Sequence, residues 1–357
     1  MQISQLYISK ITSKIIFQCL IWVLLIVIIV DWVSQTQKLS NNYHLLDTVY
    51  YVLLMLPNRL QLCLPVIMLV SGALLAQHLH KSQEWLALQT LGCSYAKIIT
   101  TLAITSGAIL LICYCLIETV GYKSLFKAKQ LRSNKENVFL SSSGLWWWEN
   151  THNGQEKSFN HIEKINKENK LKNIIIISLS EQGKPYEITT AQTARYQNKH
   201  WTLTNVNHKN LASGNQSKQK NASIDWKIKP SITKILSQKD RMLSLANLYH
   251  RWQFAKQSLN KQATLHGYNL FHRIYSPIFS LLCFLLPWCC CMTNLRSTRD
   301  KSKLLLSISI GITIFIIDIL AKPFSQLVSS SPQSLTLLPS ILTIITMLVF
   351  NLKHFKR

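Results

Sequence analysis

Acidic residues are scarce in this 357-residue sequence, 15 Asp and Glu against 39 Lys and Arg, for a formal net charge of +24. Glycine is scarce as well, ten in all, and no Gly-x-x-x-x-Gly-Lys-Ser/Thr occurs, which excludes a P-loop able to cradle nucleotide phosphates. No Ser, His and acid fall at spacings that suggest a hydrolase, and the eleven histidines are scattered, so neither a catalytic set nor a metal site is expected. Cysteine is missing between Leu116 and Leu282, and the nine that exist lie within or beside apolar stretches. That excludes a disulfide framework and suits a middle segment facing an oxidising compartment, where free thiols would mispair. The run Cys289 to Cys291 points several ways around a helix with no His or acid at ligand spacing, so apolar packing is its expected role. Clustered cations raise nucleic acid as a partner. Lys and Arg beside apolar stretches are explained by membrane topology and anionic headgroups instead, and no nucleic acid is expected.

What the sequence does have is long apolar runs. A hydrocarbon core about 30 Å thick needs roughly 20 apolar residues in a helix. Six stretches qualify, at about 15–34, 49–76, 98–117, 274–293, 303–321 and 334–352. The first has Lys10 and Lys14 on its flank but no small-residue cleavage site, so it is expected to stay as a helix. Pro57, Asn58, Arg59, Gln61 and Pro65 interrupt the second, which predicts a kink, or a start at the membrane surface that runs deeper after Arg59. With the N-terminus inside, Lys10, Lys14, Lys81, Lys97, Arg296, Arg299, Lys301, Lys303, Lys353, Lys356 and Arg357 fall on the cytoplasmic side, against Lys38, Arg59 and Lys322 opposite. Eleven against three puts the loop 118–273 outside. In a cell with two membranes this is the periplasm. The expected architecture is a polytopic α-helical membrane protein, three spans in 1–117 and three in 274–357, around an outer domain in 118–273.

That outer segment reads as all-β. Val138–Leu140, Leu145–Glu149, Lys172–Ser180, Tyr186–Tyr196, His200–Asn207 and Ile224–Ile228 are rich in β-branched and aromatic residues, several of them alternating. Asn153-Gly154, Gln182-Gly183-Lys184-Pro185 and Ser213-Gly214-Asn215 supply turn chemistry. A sandwich or jelly roll fits better than a parallel sheet, which would need intervening helices. The Lys- and Asn-rich stretches around 153–172 and 209–223 read as solvated hairpin and loop. Leu245, Leu248, Trp252, Ala255 and Leu259 share one face of a helix leading back to the membrane, with Ser244 placed to cap it.

Two features invite a functional reading. Between the second and third spans, about 82–92 is amphipathic, with Trp85, Leu88 and Leu91 at helical spacing and Gly92 placed to end the helix. It is either an interfacial helix lying on lipid or a docking helix, in which Glu84 supplies a charge and Trp85 and Leu88 an apolar anchor. Asp31 and Asp318 are the acids deepest in the spans, a costly placement that is met either by a paired base near the outer or helix–helix interface or by a functional role.

The chain resembles the LptF/LptG permease family of lipopolysaccharide export, and its LptG branch more than its LptF branch. The likeness runs nearly end to end. It rests on the layout of spans, Glu84 to Gly92, Gly144-Leu145-Trp146, Trp201-Thr202-Leu203 with Asp225-Trp226-Lys227, Arg273-Ile274-Tyr275-Ser276-Pro277, Leu295-Arg296-Ser297, and Phe315 to Asp318 followed by Pro323. The resemblance implies a half-transporter with no ATPase and no cofactor of its own. Its expected partners are an LptF-like permease, an LptB-like ATPase dimer that binds ATP and Mg, and LptC-like and LptA-like periplasmic bridge proteins, with lipopolysaccharide as substrate in the inner membrane.

It implies coupling to the ATPase through Glu84, Trp85, Leu88, Gln89 and Gly92, with Arg296 in a cytoplasmic loop. Asp31, Ser34, Lys38, Arg59 and Asp318 become candidates for the substrate path and gate. Lys38 matches a basic position of the family's substrate region. Asp31, Ser34, Gln37 and Asn58 depart from its charge pattern, Asp31 and Asn58 standing where the family usually has Lys. Two other classes stay open, a membrane-anchored sensor with an outer β domain and a mechanotransmitting permease relative that moves no lipid.

Overall fold

A computed structural model of the chain describes residues 2–36, 45–135, 145–150, 157–165, 171–180, 184–197, 200–211, 213–224, 226, 240–257, 263–291, 299–327 and 331–355. In chain order they form α1 (Gln2–Thr36), α2 (Leu45–Lys81), α3 (Glu84–Thr90) and α4 (Tyr95–Leu116), which passes through a π-turn at Ile117–Gly121 into α5 (Tyr122–Lys135). Six strands follow: β1 (Leu145–Asn150), β2 (Lys157–Ile165), β3 (Leu171–Leu179), β4 (Pro185–Gln197), β5 (His200–Asn210) and β6 (Gln216–Ile224). After a 3₁₀ turn at Asp240–Met242 come α6 (Leu245–Gln257), α7 (Ala263–Cys291), α8 (Arg299–Leu327) and α9 (Pro332–Phe355). Two compact units result, one of Met1–Glu136 with Tyr268–Arg357, the other Asn137–Gly267.

In the helical unit, six stretches among the described residues are long and apolar enough to cross a membrane: Ser4–Thr36, Leu45–Lys81, Tyr95–Ala128, Ala263–Cys290, Ser302–Ser325 and Pro332–Phe350. All six begin before the apolar core expected from sequence, because a helix does not stop where its polar flank begins. The edge expected at residue 117 falls inside a continuous helical stretch. The π-turn carries the chain on, and the unit ends at Glu136. Neither Pro57 nor Pro65 breaks α2; a proline costs one backbone bond, which a packed helix tolerates.

α2 is the central element, packed against α1, α3, α5 and α8. Its backbone approaches that of α7 at Gly72, where a Cβ would overlap the carbonyl oxygen of Phe284. Leu64, Met68, Leu75, Leu79, Ile98, Leu102, Phe284 and Trp288 fill the main helical core. The outward faces are apolar too. Of the exposed large hydrophobic side chains among the described residues, only Leu211 and Tyr249 belong to the other unit. The outward surface of the helical unit is therefore the one suited to lipid contact.

Among its described residues the second unit carries one antiparallel sheet in the order β1-β2-β3-β4-β5-β6. Its strands are joined by two to six residues, and connections that short only link antiparallel neighbours. Among the described residues the sheet is thus a meander, without the crossing connections of a full jelly roll. β2 and β6 occupy stretches that read as hairpin and loop. Their polar residues take extended form because neighbouring strands offer a ladder, a tertiary effect that outweighs propensity. Val138–Leu140, Asn153-Gly154 and most of Ile224–Ile228 lie outside the described residues.

One face is buried by Ile162, Leu171, Ile174, Ile176, Ala191, Ala194, Trp201, Leu203, Val206 and Trp226, joined by Phe254 of α6. Strict alternation would not bury both Leu171 and Ile174, or both Ala191 and Ala194. A row across the sheet shifts the phase. Glu163, Asn173, Gln192, Asn205 and Lys220 lie opposite one another and drop out of the ladder, while pairing resumes in the same register on both sides. Asn173 and Asn205 take φ of 52° and 55°, a conformation asparagine accepts more readily than most residues. Their side chains donate to Glu163 at 2.7 Å and to Gln192 at 2.8 Å.

Ser244 caps α6 as expected, its Oγ accepting from the Asn247 N–H at 3.4 Å. Ahead of it, Asp240 accepts from His266 Nδ1 at 2.8 Å and lies 3.3 Å from Arg251 Nε. Burial lowers the Arg251 guanidinium from its ordinary value, with Asp240 opposing that shift.

Candidate functional site

Two places in the helical unit gather the singled-out residues. The first is α3. It is bracketed by two left-handed residues, Gln83 at φ 55° and Gly92 at φ 76°. Its end is a Schellman arrangement, with Cys93 N–H donating to Leu88 O at 3.1 Å and Gly92 N–H to Gln89 O at 3.0 Å. Gly92 is therefore where the sequence pattern required a glycine.

Trp85 is only 6% exposed and does not point toward a partner. Its ring lies 6.2 Å from His80 at the end of α2, 6.2 Å from Tyr95 at the start of α4, and 5.9 Å from Trp288 near the end of α7. The helix is fixed into the core, and the anchor expected of Trp85 acts inward. Leu88 is buried as well and lines one side of a cleft of about 420 Å³ shared with Ser4, Tyr7, Glu84, Ala87, Leu91 and Cys93. Glu84 borders that cleft, Gln89 is exposed, and Leu91 is 72% exposed. These are the groups α3 offers outward. Sequence reasoning missed the ring partners of Trp85. The available signal was that His80, Tyr95 and Trp288 also stand at ends of apolar stretches.

The second place is farther along α1 and α2. Arg59 Nε donates to Asp31 Oδ2 at 2.8 Å, with the arginine side chain 37% exposed and the aspartate 14%. Asp31 lies about 7.5 Å below the end of α1 and Arg59 about 21 Å below the start of α2, at 1.5 Å per residue. α2 therefore continues farther beyond this pair than α1 does. One turn on from Asp31, Ser34 is exposed and its hydroxyl donates to the Asp31 backbone oxygen at 2.8 Å.

Asp318 belongs to a different cluster. Its carboxylate accepts from His272 Nε2 at 3.1 Å, and Tyr268 OH donates to its backbone oxygen at 3.3 Å. Nearby in the chain, Tyr114 OH and Ser276 Oγ are 2.6 Å apart, and Arg273 lies 4.0 Å from Glu118. The structure thus brings Asp31, Ser34 and Arg59 together and seats Asp318 between α7 and α8. Lys38 and Arg296 lie outside the described residues.

Comparison with known proteins adds to this geometry. The family profile described as lipopolysaccharide export system permease LptF/LptG matches residues 6–353. The chain is 22% identical over 343 residues to the lipopolysaccharide export system permease protein LptG of Escherichia coli (strain K12), spanning 94% of this chain and 93% of that protein. It is 21% identical over 351 residues to the protein of the same description from Haemophilus influenzae, spanning 95% of each.

Proposed function

The chain belongs to the lipopolysaccharide export system permease LptF/LptG family, and from that premise we propose that it is the LptG-like permease subunit of an ABC-type exporter that lifts lipopolysaccharide out of the inner membrane. An LptF-like permease completes the cavity. An LptB-like ATPase dimer hydrolyses ATP with its Mg, in keeping with the missing P-loop. The sheet unit lies in the periplasm, opposite the side that carries most short-loop cations, and passes lipid toward LptC-like and LptA-like bridge proteins. There it serves as a jelly-roll-like receiver.

One observation supports this reading: the Trp85 ring ties α3 to three other helices. Trp85 touches residues of α2, α4 and α7, so a displacement of α3 must shift three candidate spans or break a packed core. Glu84, Gln89 and Leu91 contact the ATPase, and Gly92 fixes the angle at which α3 is presented. At the other place, Arg59 presents a cation to an anionic headgroup, while Asp318 and His272 hold α7 to α8 so that they move as one.

The test is reconstitution with the partner permease and ATPase. Glu84→Ala and Gly92→Val are expected to lower lipopolysaccharide release by about tenfold, the equivalent of about 1.4 kcal/mol in coupling, with the complex still assembled. Wild-type release from assembled complexes of both variants would sink the reading.

A further inference from the structure

Arg59 is held by one carboxylate through one nitrogen. Among the described residues, Asp31 is the group that binds it, through Nε at 2.8 Å. A guanidinium is a planar fork of five N–H donors, so the edge carrying Nη1 and Nη2 stays available for a second, bidentate acceptor. Access to the two partners differs in the same sense. Arg59 is 37% exposed and Asp31 14%, which makes Asp31 the covered holder and Arg59 the presented group. Left alone at this depth in a span, an arginine would swing its long side chain toward the nearer headgroups. Leu62, three residues on and 42% exposed, shares the presented face.

The charge of Asp31 has a second effect. A phosphate bound at the Nη edge meets the field of Arg59 reduced by a carboxylate on the other side of the same guanidinium. It is oriented as firmly as it would be by a lone arginine but held less tightly. A site on a transport path must bind well enough to admit its cargo and weakly enough to release it.

Resting on the transport reading above, we propose that Asp31 is a positioning residue that aims Arg59 at a lipid phosphate and limits how long that phosphate is held. Asp31→Asn separates the two duties, because the amide oxygen can still accept from Nε while the negative charge is gone. Asp31→Leu removes both.

The experiment uses the assembled exporter in nanodiscs containing lipopolysaccharide, with a photoreactive residue at Leu62. Capture is read before and after adding ATP. Wild type is expected to capture lipid and lose it during turnover. Asp31→Asn should capture at least as much and shed it about fivefold or more slowly, within the usual range of coupling between two groups. Asp31→Leu should capture less, as should Arg59→Gln. Millimolar inorganic phosphate should leave capture unchanged; competition by it would reassign the site to free phosphate and overturn the proposal. Shedding by Asp31→Asn at the wild-type rate would overturn it while leaving the transport reading intact. Absence of lipid capture by wild type would instead count against the transport reading and remove the basis of this one.

Discussion

A carboxylate buried among apolar helices is tolerable only where a donor meets it, and Asp318 meets His272 Nε2 at 3.1 Å. His272→Ala would strand that carboxylate, at a cost of roughly 1–3 kcal/mol. A lower melting temperature of the detergent-solubilised protein is expected, and His272→Gln, which keeps a donor, should recover part of it. Equal melting of the alanine variant and wild type would mean the pair contributes nothing. The acids themselves were legible in the sequence, since Asp31 and Asp318 stand out in apolar runs. Their partners were not. Arg59 lies 28 residues from Asp31 and His272 46 residues from Asp318, and no local pattern states which helix will face which.

At the scale of the element, α3 shows how a sequence pattern can be right about form and silent about direction. Its helical spacing and its terminal glycine are both present, yet amphipathicity says only that one face is covered, not by what. The cover is the chain's own core. Trp85→Ala should therefore destabilise the protein alone by roughly 3–5 kcal/mol, the usual cost of emptying a buried aromatic site. Thermal unfolding of the chain without any ATPase is the measurement. A residue that served only to dock a partner would leave that curve unmoved. The sheet presents the opposite case. β3, β4 and β5 announced themselves by Ile, Thr, Val and aromatic content, whereas β6 (Gln216–Ile224) is polar almost throughout and is a strand only because β5 pairs with it. The phase shift at Asn173 and Asn205 was likewise hidden, because each looks like an ordinary polar residue until its φ is known.

For the whole molecule, the division into two solvents was the most legible property, since charge and hydropathy alone separate the apolar unit from the polar one. How closely the spans approach was not, because it depends on single small residues. Gly72 lets α2 meet the backbone of α7 at Phe284, and Gly72→Val should prevent that approach. Loss of a monodisperse peak in size-exclusion chromatography of the assembled exporter is expected; a normal peak would show that the helices can separate without penalty. The insertion of Asn137–Gly267 between the two halves of the helical unit also sets a timetable for synthesis. Tyr114 and Glu118 leave the ribosome well before Ser276 and Arg273, and Gly72 well before Phe284, so the first helices wait for partners not yet made. At about 5–20 residues per second the intervening unit alone takes on the order of 10 s. Through that interval the early polar side chains need a temporary companion, which makes the nascent chain more dependent on the insertion machinery than the finished protein is on any one contact.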